Sequence, residues 1–544
     1  MNKNNSFIYA VAFVLSFAMA GASITPILAV NPFLPLWEYI PDGEPYIFED
    51  PDNPGKYRIY IYGSHDSMKT DYCGREQVLW SAPIDDLNNW RYDGIIFESK
   101  TDANGNWLND NGIGDILFAP DITEVVETNG QKTYYFYPNN QSHGRKGMIA
   151  KANRPDGPFK VCNWDPDSPK ETIGDLEFDP AVFVDNDGRV YGYWGFQESW
   201  GAELNPKTMA TIKEGAQPVK DMVSSLHQNG VFRFFEASSI RKIKDKYVFI
   251  YSRWTANGEF GFPGSNYTLA YAYSDNPLGP FTYGGTLIDG RGRDVNKEGN
   301  PILTASPGGN THGSILEING QWYVFYHRQI GTNEYTRQAM VSPIKVKITE
   351  GPGGKVEITE GEYTSEGFEI EGLNPYKRHS AGIACYHTGP KPASHSWPNM
   401  YYSGSYILPT YCNEEKKYND PYDLKINSNP VVHNTDGSIV GYKYFNFDNI
   451  GKRDNVDLTI NLKPQGIEGT IDIMLGSPWE SKGGIKIGSL HISKNASQVL
   501  TEMRTKVSKV NKLKGKHALF FVFSSQIANK SICELHDFVF VKNK

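Results

Sequence analysis

The sequence predicts an all-β protein: a five-bladed β-propeller followed by a β-sandwich domain. Three observations lead there. First, the 544 residues include 33 Tyr, 28 Phe and 11 Trp against 10 Met, with 53 Gly and 33 Pro. Short aromatic runs separated by turn residues dominate, and long apolar helical periods are scarce. Second, five aromatic strands recur, beginning at Tyr57, Thr133, Val190, Tyr247 and Trp322, 57 to 76 residues apart. Four follow a turn signal (Asn53-Pro54-Gly55, Asn129-Gly130, Asp187-Gly188 and Asn319-Gly320), and the other follows Lys244-Asp245-Lys246. Such a period, with about four strands per unit, marks the blades of a propeller. Third, after Gly351-Pro352-Gly353-Gly354 the composition shifts towards Lys, Asn and Ser, with short alternating strands such as Thr459–Leu462 and Thr470–Ile473. That pattern suits a sandwich.

In chain order, Lys3 precedes the apolar run Phe7–Phe17, and small residues follow. This predicts a secretory leader over residues 1–29, with Ala18-Met19-Ala20 or Ile27-Leu28-Ala29 as cleavage site. The apolar run falls short of the roughly 20 residues of a membrane span. An exported protein, periplasmic or extracellular and without a membrane span, is therefore expected. The propeller is placed at residues 30–350, a linker at 351–372 and the sandwich at 373–544. A helical stretch is expected at Ala496–Val507, and His517–Phe523 and Phe538–Val541 read as closing strands. The net charge of -8 is spread out, with no basic stripe for a nucleic acid to meet. Five cysteines, Cys73, Cys162, Cys385, Cys412 and Cys533, form no CxxC, which excludes a zinc site or a disulfide framework. An exported chain would allow one bridge, for instance Cys385 with Cys412.

A polar residue precedes each aromatic strand by about 10 to 15 positions: Asp42, Asp121, Asp179, Glu236 and His312. The innermost strand of every blade runs along the central channel, so equivalent positions converge at one mouth. Asp52, Asp185, Asp187 and Asp245 instead sit in hairpin turns and read as turn formers. Converging carboxylates at a concave mouth suit sugar chemistry: one carboxylic acid protonates the leaving oxygen, and a second carboxylate activates water or attacks. A third can hold up the acid's pKa. Aromatic rings stack on sugar faces, and Trp200 and Trp254, in irregular Gly-bearing stretches, are the preferred platforms over Trp80, Trp107 and Trp194.

The segments PDGEP, YGSHD (Tyr62–Asp66), FAPDI, FDPAVFVDNDGRVY, FEASSIRKIKDKYVFIYS and NTHGSILEINGQWYVFYHRQ together resemble glycoside hydrolase family 43, over about residues 35 to 350. The resemblance implies an inverting enzyme on a five-bladed propeller, one that removes α-L-arabinofuranosyl or β-D-xylosyl units from plant polysaccharides or oligosaccharides. It also implies roles. Asp42 matches the general base, Asp179 the residue that raises the acid's pKa, and Glu236 the general acid. Asp121 and Arg337 match substrate-facing positions. His312 matches a histidine that helps hold a channel calcium, often through water.

Two departures stand out. Asp42 lies in Pro41-Asp42-Gly43 rather than Ala-Asp-Pro, which makes Asp50 a rival, and Glu236 is followed by Ala237-Ser238 rather than Gly-Pro. Galactosyl or arabinan linkages and a non-catalytic carbohydrate-binding propeller are the alternative functions. Residues 373–544 resemble carbohydrate-binding modules, including module family 6, with Trp397, Tyr401 and Tyr402 as candidate sugar contacts.

Overall fold

The computed structural model describes residues 30–68, 70–409 and 429–543. The expected leader and Cys412 lie outside them. Four four-stranded antiparallel sheets and one three-stranded sheet form the five blades. Their inner strands are Glu44–Glu49, Asp121–Val126, Ala181–Val184, Phe234–Ile243 and Ile315–Ile318. Each pairs through a hairpin with a buried aromatic strand: Tyr57–Tyr62, Lys132–Tyr137, Val190–Trp194, Lys246–Arg253 and Gln321–Gln329. These aromatic strands are the five of the sequence repeat. Their rings fill the space between blades, as Tyr62, Tyr134 and Phe136 do with Phe48 of the first inner strand between the first and second.

The ring is sealed where its ends meet. Phe33, Trp37 and Ile40 precede the first blade and pack with Ile59 and Trp80 of that blade and Phe325 and Val341 of the last. The stretch expected as a linker is folded against both domains. Val346–Ile348 pairs with Val356–Ile358, Tyr363 to Glu366 are buried, and Phe368 and Ile370 join the sealing cluster.

Beyond it, a six-stranded and a five-stranded sheet face each other as a sandwich. Cys533–Lys542 lies inside the first sheet and Lys516–Ser524 inside the second. Leu458, Ile460, Ile471, Ile473, Phe521 and Phe538 fill the space between them. The expected helix at Ala496–Val507 is wrong: Thr501–Lys506 is a strand paired with Val456–Pro464. Exposure alternates along it with period two and Met503 turns inward, the pattern of a half-buried strand. Among the described residues, no helix is long and apolar enough to cross a membrane.

The two domains share buried polar contacts. Arg328, fully buried on the last blade, donates to the Ala384 carbonyl at 2.8 Å, the Gly382 carbonyl at 2.6 Å and Gln338 Oε1 at 3.0 Å. A hairpin from the C-terminal part, Ser394–Ser396 and Asn399–Tyr401, lies on the blade-5 loop at the channel mouth. There the Met400 N–H donates to the Thr332 carbonyl at 2.9 Å and the Glu334 N–H to the Pro398 carbonyl at 3.1 Å. His395 Nε2 meets the Glu334 carboxylate.

Arg328→Met should cost about 2–3 kcal/mol, because three buried acceptors lose their donor. The denaturant midpoint should fall, and propeller and sandwich should unfold in separate steps. A single unchanged transition would show that this contact does not couple them.

Candidate active site

Two of the pocket's acids sit in strained backbone. Asp42 and Asp179 each stand two residues before an inner strand and hold left-handed conformations, φ 60° and φ 50°. Non-glycine residues adopt this only where the surroundings impose it. At Asp42 the imposing group is His327. The Asp42 backbone N–H donates to His327 Nδ1 at 3.2 Å, and His327 Nε2 donates to the Asn310 carbonyl at 2.9 Å. Burial pushes this imidazole down to about 3, so it stays neutral in that tautomer. At Asp179, Asn139 donates to one carboxylate oxygen at 2.9 Å, and the Ala237 N–H donates to the other at 3.0 Å. Ala237 follows Glu236 and has φ 69°, beside an irregularity in strand register. Asp179 therefore fixes the backbone that carries Glu236.

Asp42, Asp179 and Glu236 line one pocket of about 150 Å³ with Arg337, His312, Asn310, Tyr72 and Phe178. The Arg337 guanidinium spans two carboxylates. Nη1 reaches Asp42 at 3.1 Å, while Nε and Nη2 grip Asp66 at 2.9 and 2.8 Å. Ser64 also donates to Asp42. Burial, the largest influence, would raise the Asp42 carboxyl, but Arg337, His327, His312 and the Ser64 hydrogen bond together outweigh it and hold the group below the usual range. Glu236 goes the other way. Burial, then the charge of Asp179, then that of Asp42, push it well above the ordinary glutamate value. One pocket thus holds a carboxyl biased towards ionisation and another biased towards keeping its proton, the polarisation an acid–base pair needs. His312 stands between Asp179, at 3.6 Å, and Glu44, at 3.8 Å.

Three expected substrate contacts lie outside this pocket. Asp121 is the first residue of its strand and pairs with Tyr137, as Glu44 pairs with Tyr62. It is therefore the counterpart of Glu44, one layer deeper in the channel than Asp42; the coarse spacing to the aromatic strand concealed a two-residue offset. Both its oxygens are engaged, by the Tyr46 hydroxyl at 2.7 Å and the Val182 N–H at 2.7 Å. Burial and the Glu44 charge raise it to about 7. Trp200 packs under the Lys220 ammonium, and Trp254 packs on Phe235. The rival Asp50 lies at the far end of the first inner strand, in a turn with Asn53.

The channel below His312 is taken by Arg241. It donates to Glu44 Oε2 at 2.7 Å and to the Ile240, Pro45 and Ile315 carbonyls, and it lies 4.6 Å from the Tyr46 ring centre. Glu44 Oε1 and His312 Nε2, 3.8 Å apart, are buried without a hydrogen-bond partner there. Calcium takes about six to eight oxygen ligands. One carboxylate oxygen and one imidazole nitrogen beside a permanent guanidinium do not fit it. Among the described residues no three His, Cys, Asp or Glu side chains converge as a metal site.

Sequence reasoning missed Glu44, Ser64, Asp66, Arg241 and His327. Glu44 was open to discovery, since it sits two residues after Asp42 and strand period two puts both on one face. Tyr72 was missed as well; its hydroxyl donates to Glu334, the same carboxylate that meets His395.

Comparison with known proteins adds to this. A family profile described as glycosyl hydrolases family 43 matches residues 47–349. A xylosidase/arabinosidase from Thermoclostridium stercorarium is 34% identical over 373 residues, covering 65% of this chain and 71% of that protein. An arabinoxylan arabinofuranohydrolase from Paenibacillus polymyxa is 29% identical, over 64% of this chain and 53% of that protein, so the match spans about half its length. Another from Bacillus subtilis is 26% identical, over 89% of this chain and 86% of that protein.

Two outcomes follow from the geometry. Asp179→Asn removes the largest charge acting on Glu236 and lowers its pKa. The acid then ionises earlier as pH rises, so the alkaline limb of kcat/KM should move to lower pH; an unmoved limb would count against that charge. Incubation with EDTA should leave the melting temperature and the activity unchanged, because Arg241 supplies the channel charge. A chelator-dependent drop in melting temperature would overturn this.

Proposed function

The chain belongs to glycoside hydrolase family 43, and we propose that it is an inverting glycosidase releasing xylosyl or arabinofuranosyl units from plant polysaccharides or oligosaccharides. The opposed shifts of Asp42 and Glu236 in one pocket carry this reading. The names of the relatives support the sugar class. The leader-like Lys3 and Phe7–Phe17 support export, and Arg241 supports a channel that works without calcium.

In this reading Asp42 is the general base. Arg337 and Ser64 keep it ionised and aimed, and it removes a proton from a water that attacks the anomeric carbon. Glu236 is the general acid and passes its proton to the glycosidic oxygen as the carbon–oxygen bond breaks. Attack opposite the leaving group inverts the anomeric centre. Asp42 ends protonated and Glu236 ionised, and solvent exchange restores both. The charge of Asp179 raises Glu236's affinity for its proton, and its bond to the Ala237 N–H holds the acid in place. Inversion needs room for water between base and acid, roughly 6.5–9.5 Å between carboxyls.

Glu236→Ala should reduce cleavage of natural linkages about a thousandfold while sparing activated aryl glycosides, whose leaving groups need less protonation. Equal losses on both would remove Glu236 as the acid. Proton NMR of the first product should show the opposite anomer to the substrate, and retention would reject Asp42 as the base that activates water.

A further inference from the structure

A row of five aromatic rings runs out of the pocket across the mouth. Phe118 and Phe178 line the pocket itself, with ring centres 5.8 Å apart. Phe178 meets Phe196 at 5.6 Å, Phe196 meets Phe235 at 5.2 Å, and Phe235 meets Trp254 at 5.3 Å. The two contacts of Phe196 are edge-to-face, at 76° and 65°, and the two outer contacts are tilted, at 55° and 51°. None of the five joins the apolar clusters between the blades. Every one keeps some solvent contact, and Phe196, at the centre, is 51% exposed.

The row is built into the fold. Gly195 turns the chain at φ 141°, and a Cβ there would lie 1.9 Å from the Glu198 carbonyl oxygen, so only glycine allows the turn that brings out Phe196. The next residue, Gln197, has φ 63°, and its N–H donates to the Phe235 carbonyl at 2.5 Å. That bond pins the blade-3 loop against blade 4 and Phe196 against Phe235. Beside the rings, the Gln197 amide and His227 Nε2 meet at 2.9 Å at the surface. Open apolar faces next to amide and imidazole groups match a sugar chain, which offers C–H faces and hydroxyl edges together.

We propose that this row is a subsite strip for the main chain of a branched plant polysaccharide, whose cleaved unit sits in the pocket. The strip begins in the pocket wall, so occupant and reacting sugar are one molecule. This rests on the glycosidase reading and makes the substrate a polymer rather than a short oligosaccharide.

The test compares Phe196→Ala and Phe235→Ala with the full-length protein, with Phe196→Tyr as the ring-preserving control. Both kcat/KM and retardation in gels containing soluble arabinoxylan are measured. Loss of a ring should lower kcat/KM on arabinoxylan about tenfold, leave 4-nitrophenyl xyloside and arabinofuranoside unchanged, and weaken retardation. Phe196→Tyr should behave as wild type. Unchanged polymer kinetics and retardation would overturn the proposal, as would equal loss on polymer and aryl substrates. A wild-type protein that hydrolyses neither substrate, yet loses retardation in Phe196→Ala, rejects the glycosidase reading and keeps the strip.

Discussion

One guanidinium joins the first blade to the last. Arg337, on the final blade, divides its donors between Asp42 and Asp66, which flank the first blade's two leading strands. A propeller must close its ring, and here the buried closing bond is also the strongest charge favouring the ionised form of Asp42. Closure and acidity are therefore the same interaction. The arrangement is costly alone, since a buried charge must be paired and hydrogen-bonded. Two carboxylates around one arginine, with the Cys73 N–H on Asp66 and Ser64 on Asp42, satisfy that demand.

The channel continues the same alternation of charge. Below the carboxylates come His312, then Glu44, then Arg241. Arg241 differs from a bound ion in that its donors have fixed directions. It ties the Ile315 and Pro45 carbonyls and Glu44 to its own strand, so blades one, four and five meet at one side chain. Asp121 ties blades one, two and three in the same layer through Tyr46 and Val182. The carboxylates of the pocket thus rest on a layer of structural polar contacts.

Much of the architecture was legible because its signals are local. Turn residues and period-two aromatic strands need only a few neighbouring positions, and repetition marked where blades begin. The same repetition pointed to Asp42, Asp179, Glu236 and His312, which the fold gathers at one mouth. Its weakness was register: Asp121 carries the right residue type two positions too far along. The partners stayed hidden for another reason. Arg241 lies 197 residues from Glu44, Arg337 lies 271 from Asp66, and His327 lies 285 from Asp42. Such pairings leave no trace in a local window. Thr501–Lys506 failed differently, as polar residues on the outer face of an edge strand mimic a solvated helix.

The hairpin from the C-terminal part touches Glu334 through His395, and Glu334 in turn holds Tyr72 of the pocket wall. The C-terminal part thus reaches the pocket wall through a single carboxylate. Modular enzymes are usually pictured as cassettes, with a catalytic unit and an accessory that shuffle independently. Here recombination at the boundary would carry away the hairpin that braces Glu334, the partner of one wall residue, Tyr72. The heritable unit is the pair, and the two halves are bound to drift together.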